Sequence, residues 1–305
     1  MDRISYGGWD TCYRLANRAI ELIVTGDVGP RVIRLAPRGG ANLFKEYAPM
    51  LGTTGGDDWR IYGGHRLWHS PEAKPRTYFP DNLPVEVTET KNGLRTLQMV
   101  ETSTGIQKQM DITLDPAKPH VKVVHRLTNH NLWPVTLAPW ALSVMAPGGV
   151  EIIPQAPYGS HETSLLPARP IVLWPYTNMA DNRWTWGERF IQLRQDPKAK
   201  KPQKLGLALH DGWAAYALKG SLFLKRFAHQ ANAAYPDFGC SYETFTNADM
   251  LEAESVGPLV TLDPGKAVQH VEHWFVFEGV AIGKTDAAIE KAMAPILAQS
   301  EKMMG

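Results

Sequence analysis

The apolar residues of this chain fall in short runs that alternate with polar ones and stop at Gly, Pro, Asn or Asp. Period-2 runs bounded by turn residues predict β-strands. Ala19–Val24 and Arg31–Leu35, split by Gly26-Asp27-Val28-Gly29-Pro30, read as a hairpin-like pair. Val85–Thr88 and Leu94–Val100 flank Asn92-Gly93, a dipeptide that accepts the two positive φ angles of a type I′ turn. Further strands are expected at Gly105–Thr113, His120–Leu127, Leu132–Ala146, Val150–Ile153, Leu205–His210, Trp213–Leu218, Ser221–Arg226, Tyr242–Phe245, Met250–Glu254 and His270–Phe277. Strands at this spacing, with no helices between them, predict an all-β antiparallel sandwich and not a parallel α/β sheet. One segment carries a helical period instead. From Lys284 onward, Ile289, Met293, Ile296 and Leu297 fall on a helical spacing, which predicts a short C-terminal helix over about 284–304 that Pro295 should kink or restart. Between Pro154 and Lys204 the pattern gives way to Pro, Trp, Arg and Asn, and Asp196–Pro202 reads as a solvated loop. No internal repeat, low-complexity tract or linker divides the chain, so a single domain over 1–305 is expected.

Charge narrows the possible partners. The net charge is +1 and no Lys/Arg stripe runs along any segment, so neither nucleic acid nor an anionic membrane has an electrostatic footprint. No apolar run approaches the roughly 18 residues of a membrane span. The start, Met1 to Gly7, lacks the basic end and apolar stretch of a secretory leader. Cys12 and Cys240 lie far apart and form no disulfide framework, so a reducing, cytoplasmic setting is expected. Oligomeric state is not readable. Tryptophan is frequent, with ten spread along the chain. Most should be core, but indole faces also stack on pyranose rings, which adds a small sugar or oligosaccharide to the candidate partners.

Nucleotide and nucleophile motifs are missing. Gly52-Thr53-Thr54-Gly55-Gly56 lacks the Lys-Ser/Thr of a phosphate loop, and there is neither a GxSxG elbow nor an HExxH helix, so no cofactor is expected. In His270-Val271-Glu272-His273, a strand would put His270 and Glu272 on one face and His273 on the other; this makes a poor chelate, and no metal is expected. Two segments carry candidate chemistry. In Gly63-Gly64-His65-Arg66-Leu67-Trp68-His69-Ser70-Pro71-Glu72, the glycines allow close backbone approach to a ligand, His65 and His69 can move protons near neutrality, and Arg66 can fork onto hydroxyls. The plainer alternative is a polar loop tied by its own hydrogen bonds. In Met250-Leu251-Glu252-Ala253-Glu254, the two glutamates share one strand face, where their mutual repulsion raises one pKa and suits acid–base work; the alternative is a solvated outer face.

The last third of the chain resembles the aldose 1-epimerases, in the galactose-mutarotase-like superfamily. The residues that carry the likeness are Leu251-Glu252-Ala253-Glu254, the turn Leu262-Asp263-Pro264-Gly265-Lys266 and the aromatic strand Trp274-Phe275-Val276-Phe277. They match a Leu-Glu-x-Gln strand, a Leu-x-Pro-Gly-Glu turn and a final Tyr/Trp-x-Phe strand, with Glu254 and Lys266 as departures. The resemblance implies a galactose-mutarotase-like supersandwich and gives Glu252 the role of general base on the anomeric hydroxyl. Pro134–Leu142 resembles the family's central strand, and Trp140 then stands where that strand carries its catalytic histidine. The acid would fall to His65 or His69. Arg66, Trp68, Trp140, Trp186, Lys225, Asp237 and Glu254 are the expected sugar contacts. Three functions fit this reading: an epimerase that interconverts anomers, a non-catalytic carbohydrate-binding protein on the same fold, and a polysaccharide lyase or glycoside-processing protein. The paired glutamates favour the first and Trp140 favours the second.

Overall fold

The computed structural model describes residues 1–304. Two antiparallel sheets pack face to face, one of 11 strands and one of 10. At the centre of the first sheet, Gly64–Ser70 pairs with Val135–Met145, which pairs with Leu251–Val256, then Tyr242–Thr246, then Gln203–Leu207. The second sheet is centred on Ser221–Phe227, Ala267–Glu278 and His120–Asn129. The main apolar cluster draws on both, with Leu22, Val32 and Met145 from the first sheet and Met110, Val123 and Trp274 from the second. This is the expected antiparallel sandwich.

The helix covers Asp286–Met304 and runs through Pro295 as one element. Proline removes a single intrahelical bond, and the face formed by Ile289, Met293 and Ile296 is buried against Ile152, Leu224 and Phe275 on the outer face of the second sheet. The Thr285 hydroxyl accepts from the Ala288 amide at 3.3 Å and caps the first turn.

Three local expectations change. The hairpin at Asn92 turns on Lys91-Asn92, with Thr90 facing Gly93 and only Asn92 at positive φ (58°), so Gly93 opens the second strand. The Gly63–Glu72 segment is not a loop. Gly64–Ser70 is a fully buried central strand, and its two glycines serve the backbone, not a ligand. A Cβ on Gly63 (φ 102°) would lie 1.9 Å from the Lys45 carbonyl oxygen, and one on Gly64 (φ 70°) would lie 2.3 Å from that of Val32. The N-terminal strands Asp2–Tyr6 and Trp9–Ala16 escaped the pattern because exposed polar positions, Asp2, Arg3, Ser5 and Asp10, interrupt their apolar residues.

Glu151 is fully buried and accepts the Tyr242 hydroxyl. Burial pushes its carboxyl up to about 8, with the Glu254 charge adding to the rise. A carboxyl that keeps its proton in the fold but loses it near pH 4.5 when unfolded favours the folded state at low pH, and this advantage fades as pH rises to about 8. Glu151→Gln should remove that component. Urea unfolding at pH 5 and pH 8.5 should show a smaller loss of stability with rising pH in the variant than in the natural protein. Equal slopes would place the titration elsewhere.

Candidate functional site

The period of two along each strand sorts the candidate residues onto two faces. On Gly64–Ser70, His65, Leu67 and His69 point between the sheets, while Arg66 and Trp68 point outward. His65 Nε2 lies 2.7 Å from Nε2 of His125 in the second sheet, and its Nδ1 is 2.9 Å from Ser143 Oγ. His69 Nε2 lies 3.5 Å from Glu101, which Lys108 also meets at 2.5 Å. Burial lowers the pKa of both histidines, most strongly at His65, where the charges of His125 and Lys225 add to it. The expectation that His65 or His69 faces Glu252 as an acid is therefore corrected. Strand alternation puts both on the opposite side of the sheet from Glu252. Lys225 is likewise interior. Its Nζ contacts Glu272 at 2.8 Å and donates to the carbonyls of Ala141 and Ala253. Trp186, on the second sheet, stacks on Trp184 and donates to the Met179 carbonyl, away from the glutamates.

Arg66, Trp68, Trp140, Glu252 and Glu254 do come together on the outer face of the first sheet. Three cross-strand rows build this surface. The first is Trp68, Trp140 and Val256; the second is Arg66, Leu142, Glu254 and Glu243; the third is Gly64, Val144, Glu252 and Phe245. Arg66 Nη2 donates to Glu252 Oε1 at 2.8 Å. Glu243 stands directly across from Glu254, an arrangement of like charges that costs stability unless a cation intervenes. Lys204, from the neighbouring strand, supplies it, with Nζ 2.8 Å from Glu243 and 3.4 Å from Glu254. Trp140 Nε1 donates to Glu254 Oε2 at 2.9 Å, whereas Glu254 Oε1 is buried without a partner. Burial raises the Glu254 pKa; Lys204 opposes the rise and the Glu252 charge adds to it.

Aromatic rings wall these charges. Arg66 Cζ sits 4.5 Å from the Trp68 ring and 5.7 Å from that of Trp59; Lys204 Nζ sits 4.7 Å from both Trp140 and Trp174. Tyr78 packs edge-on to Trp59 and Trp68, at 5.2 and 4.9 Å. The covering segments are anchored from below, since Arg31 pairs with Asp81 at 2.6 Å and donates to the Ile61 and Gly63 carbonyls. The cover leaves Glu252 only 8% exposed and Glu254 fully buried. Beside them a cavity of about 320 Å³ opens between Glu72, Lys74, Tyr78, Trp174, Asp237 and Glu243, so Asp237 stands at the rim. Asp237 and Phe238 both adopt left-handed φ, 51° and 60°, a strained backbone of the kind that clusters at functional sites.

Trp59, Trp174, Lys204 and Glu243 were absent from the sequence-based candidates. Glu243 carried a signal, as a lone acid in the strand Tyr242–Thr246 beside two glutamates on the next strand. Lys204 had none, because its partners lie 39 and 50 residues downstream.

The interior holds one group whose atoms could face a common ion, His65, His125 and Glu272. Each already has protein partners. His125 Nδ1 donates to the His270 carbonyl, and Glu272 accepts from Lys225, Ser255 and Trp274. Burial works to raise the Glu272 pKa, and Lys225 and the neighbouring histidines outweigh it, so the net shift is downward. The donor set describes a complete hydrogen-bond network built around an ion pair.

The architecture is the galactose-mutarotase-like fold. A galactose mutarotase-like protein from Lactobacillus casei superposes with a TM-score of 0.59 at 10% identity, covering 87% of this chain and 100% of that one. Another from Clostridium acetobutylicum gives a TM-score of 0.53 at 11% identity, covering 91% and 98%. A protein from Synechocystis sp. PCC 6803 gives 0.57 at 12% identity, covering 91% and 100%. No protein-family model and no curated protein matches the sequence. No helix of the described residues is long and apolar enough to cross a membrane.

The two faces of the first sheet carry separate polar networks, and the inward one is centred on the Lys225–Glu272 pair. Lys225→Met leaves Glu272 buried without its cation and should cost about 3–5 kcal/mol in urea unfolding. A cost below about 1 kcal/mol would mean that Glu272 has another counter-charge.

Proposed function

We propose that this protein is a carbohydrate-active enzyme that interconverts the anomers of an aldose by general acid–base catalysis on the outer face of the first sheet. The observation that carries the reading is the joint placement of Glu252, Glu254, Arg66 and Lys204 inside a wall of indole and phenol rings, on a fold shared with galactose mutarotase-like proteins. Glu252 takes the proton from the anomeric hydroxyl. Glu254, whose raised pKa favours the protonated form, gives a proton from Oε1 to the ring oxygen. The bond between the anomeric carbon and the ring oxygen breaks, the aldehyde rotates, and reclosure returns both protons. Arg66 offers Glu252 a counter-charge, Trp68 and Trp140 form the wall against which the ring packs, and Asp237 meets hydroxyls at the rim. The same reading takes 1–305 as one domain, which the core shared by both sheets supports.

A second reading, a carbohydrate-binding protein without catalysis, is favoured by the Arg66–Glu252 contact, which ties up one oxygen of the base. Polarimetry on freshly dissolved α-glucose, α-galactose and a panel of other aldoses separates the two. The natural protein should accelerate mutarotation of at least one sugar, with the rate falling as pH rises through the elevated Glu254 pKa. Glu252→Gln and Glu254→Gln should each slow it by about 10²–10⁴-fold with the fold intact. Rates equal to buffer across the panel would favour the binding reading. Full activity in Glu252→Gln would remove that residue as base.

A further inference from the structure

A cavity of about 560 Å³ lies on the other sheet. Its floor is Val150, Gln192 and Ala217, which share the outer face of the second sheet with Ile152, Phe190 and Ala215, the strip that the C-terminal helix covers. The segment Val280–Lys284, entering that helix, forms one wall, and Gln192 Nε2 ties it down by donating to the Lys284 carbonyl at 3.0 Å.

The charge lining this cavity is one-sided. Arg183, Arg194, Lys219 and Lys284 border it, and no carboxylate does. Arg183 is held by Asp181 and by the Lys201 carbonyl, yet its Nη1 is buried without a partner. Arg194, Lys219 and Lys284 form no ion pair among the described residues, and the Asp181 carboxylate is engaged by Arg183. In a protein whose net charge is +1, four cations around one concavity set up a local positive potential. Val150, Leu218, Val280 and Ile282 add apolar surface, and Asn182, Thr185 and Gln192 add neutral polar groups. A mostly apolar cavity of this size with a few convergent polar groups has the form of a small-molecule site.

We propose that this cavity binds a small organic anion of the phosphomonoester class, with its doubly charged head against Arg194, Lys284 and Lys219 and its apolar body on the Val150–Ala217 floor. Two negative charges and three acceptor oxygens match several cations better than a single carboxylate does. The site is independent of the glutamate face, which belongs to the other sheet.

Phenyl phosphate is the probe, titrated calorimetrically at low ionic strength. The natural protein should bind it saturably at one site, and more tightly than benzoate. The double variant Arg194→Ala/Lys284→Ala changes two exposed side chains and should keep the melting temperature while weakening binding at least tenfold. Glu252→Gln should bind as the natural protein does. Absence of saturable binding in the natural protein, undiminished binding in the double variant, or loss of binding in Glu252→Gln would each overturn the proposal. If the double variant melts early, Arg194→Gln alone, which keeps length and polarity, should still weaken binding at least threefold, and failure to do so would also overturn it.

Discussion

Glu243 and Glu254 face each other on adjacent strands, and Lys204 is what lets both stay buried. Two carboxylates taken out of water side by side are unfavourable, since each loses hydration and repels the other. A single ammonium within 3.4 Å of both offsets the repulsion, and the Trp140 indole N–H satisfies one oxygen of Glu254. The remaining shift is still upward for both glutamates, because burial outweighs what Lys204 returns. The consequence is a carboxyl group disposed to hold a proton next to Glu252, which Arg66 holds from the other side. The chemistry proposed for this face follows from that imbalance.

The same strands carry a second set of polar groups inward. Ser143, His65, Ser255 and Ala253 alternate with Leu142, Arg66, Glu254 and Glu252, so one sheet presents a hydrogen-bonded interior to Glu272 and Lys225 and a charged, aromatic exterior to the cover. The interior network fixes how the two sheets meet. The exterior is held by cation–π contacts and by the Arg31–Asp81 anchor beneath the covering segments.

Local patterns in the chain were informative where the physics is local. Period-2 runs marked most central strands, and the Leu251–Glu254 segment disclosed both glutamates and their common face. The turn Leu262–Lys266 falls between the strands Val260–Leu262 and Ala267–Glu278, with Gly265 at positive φ (74°). What depended on which side of a strand faces the partner sheet was not available from the pattern. His65 and Arg66 are polar neighbours in a strand buried on both faces, so nothing local indicated that the histidine turns inward and the arginine outward. Trp59 reaches the site from a segment more than a hundred residues before those of Trp174 and Lys204, and no short-range spacing could have joined them. Lys225 and Trp186, reasonable as isolated sugar-gripping residues, are taken by partners of their own, Glu272 for Lys225 and Trp184 with the Met179 carbonyl for Trp186.

The ten tryptophans make the central claim directly measurable, since their indole N–H groups report separately on the two faces and the core. With ¹⁵N-indole labelling and assignment by single Trp→Phe replacement, an aldose titration should shift the signals of Trp59, Trp68, Trp140 and Trp174 together along one saturation curve. Trp213 and Trp274, packed on and within the second sheet, should stay still. Shifts confined to Trp184, Trp186 or Trp213, or none at saturating sugar across a broad panel, would contradict the assignment of the glutamate face as the carbohydrate site.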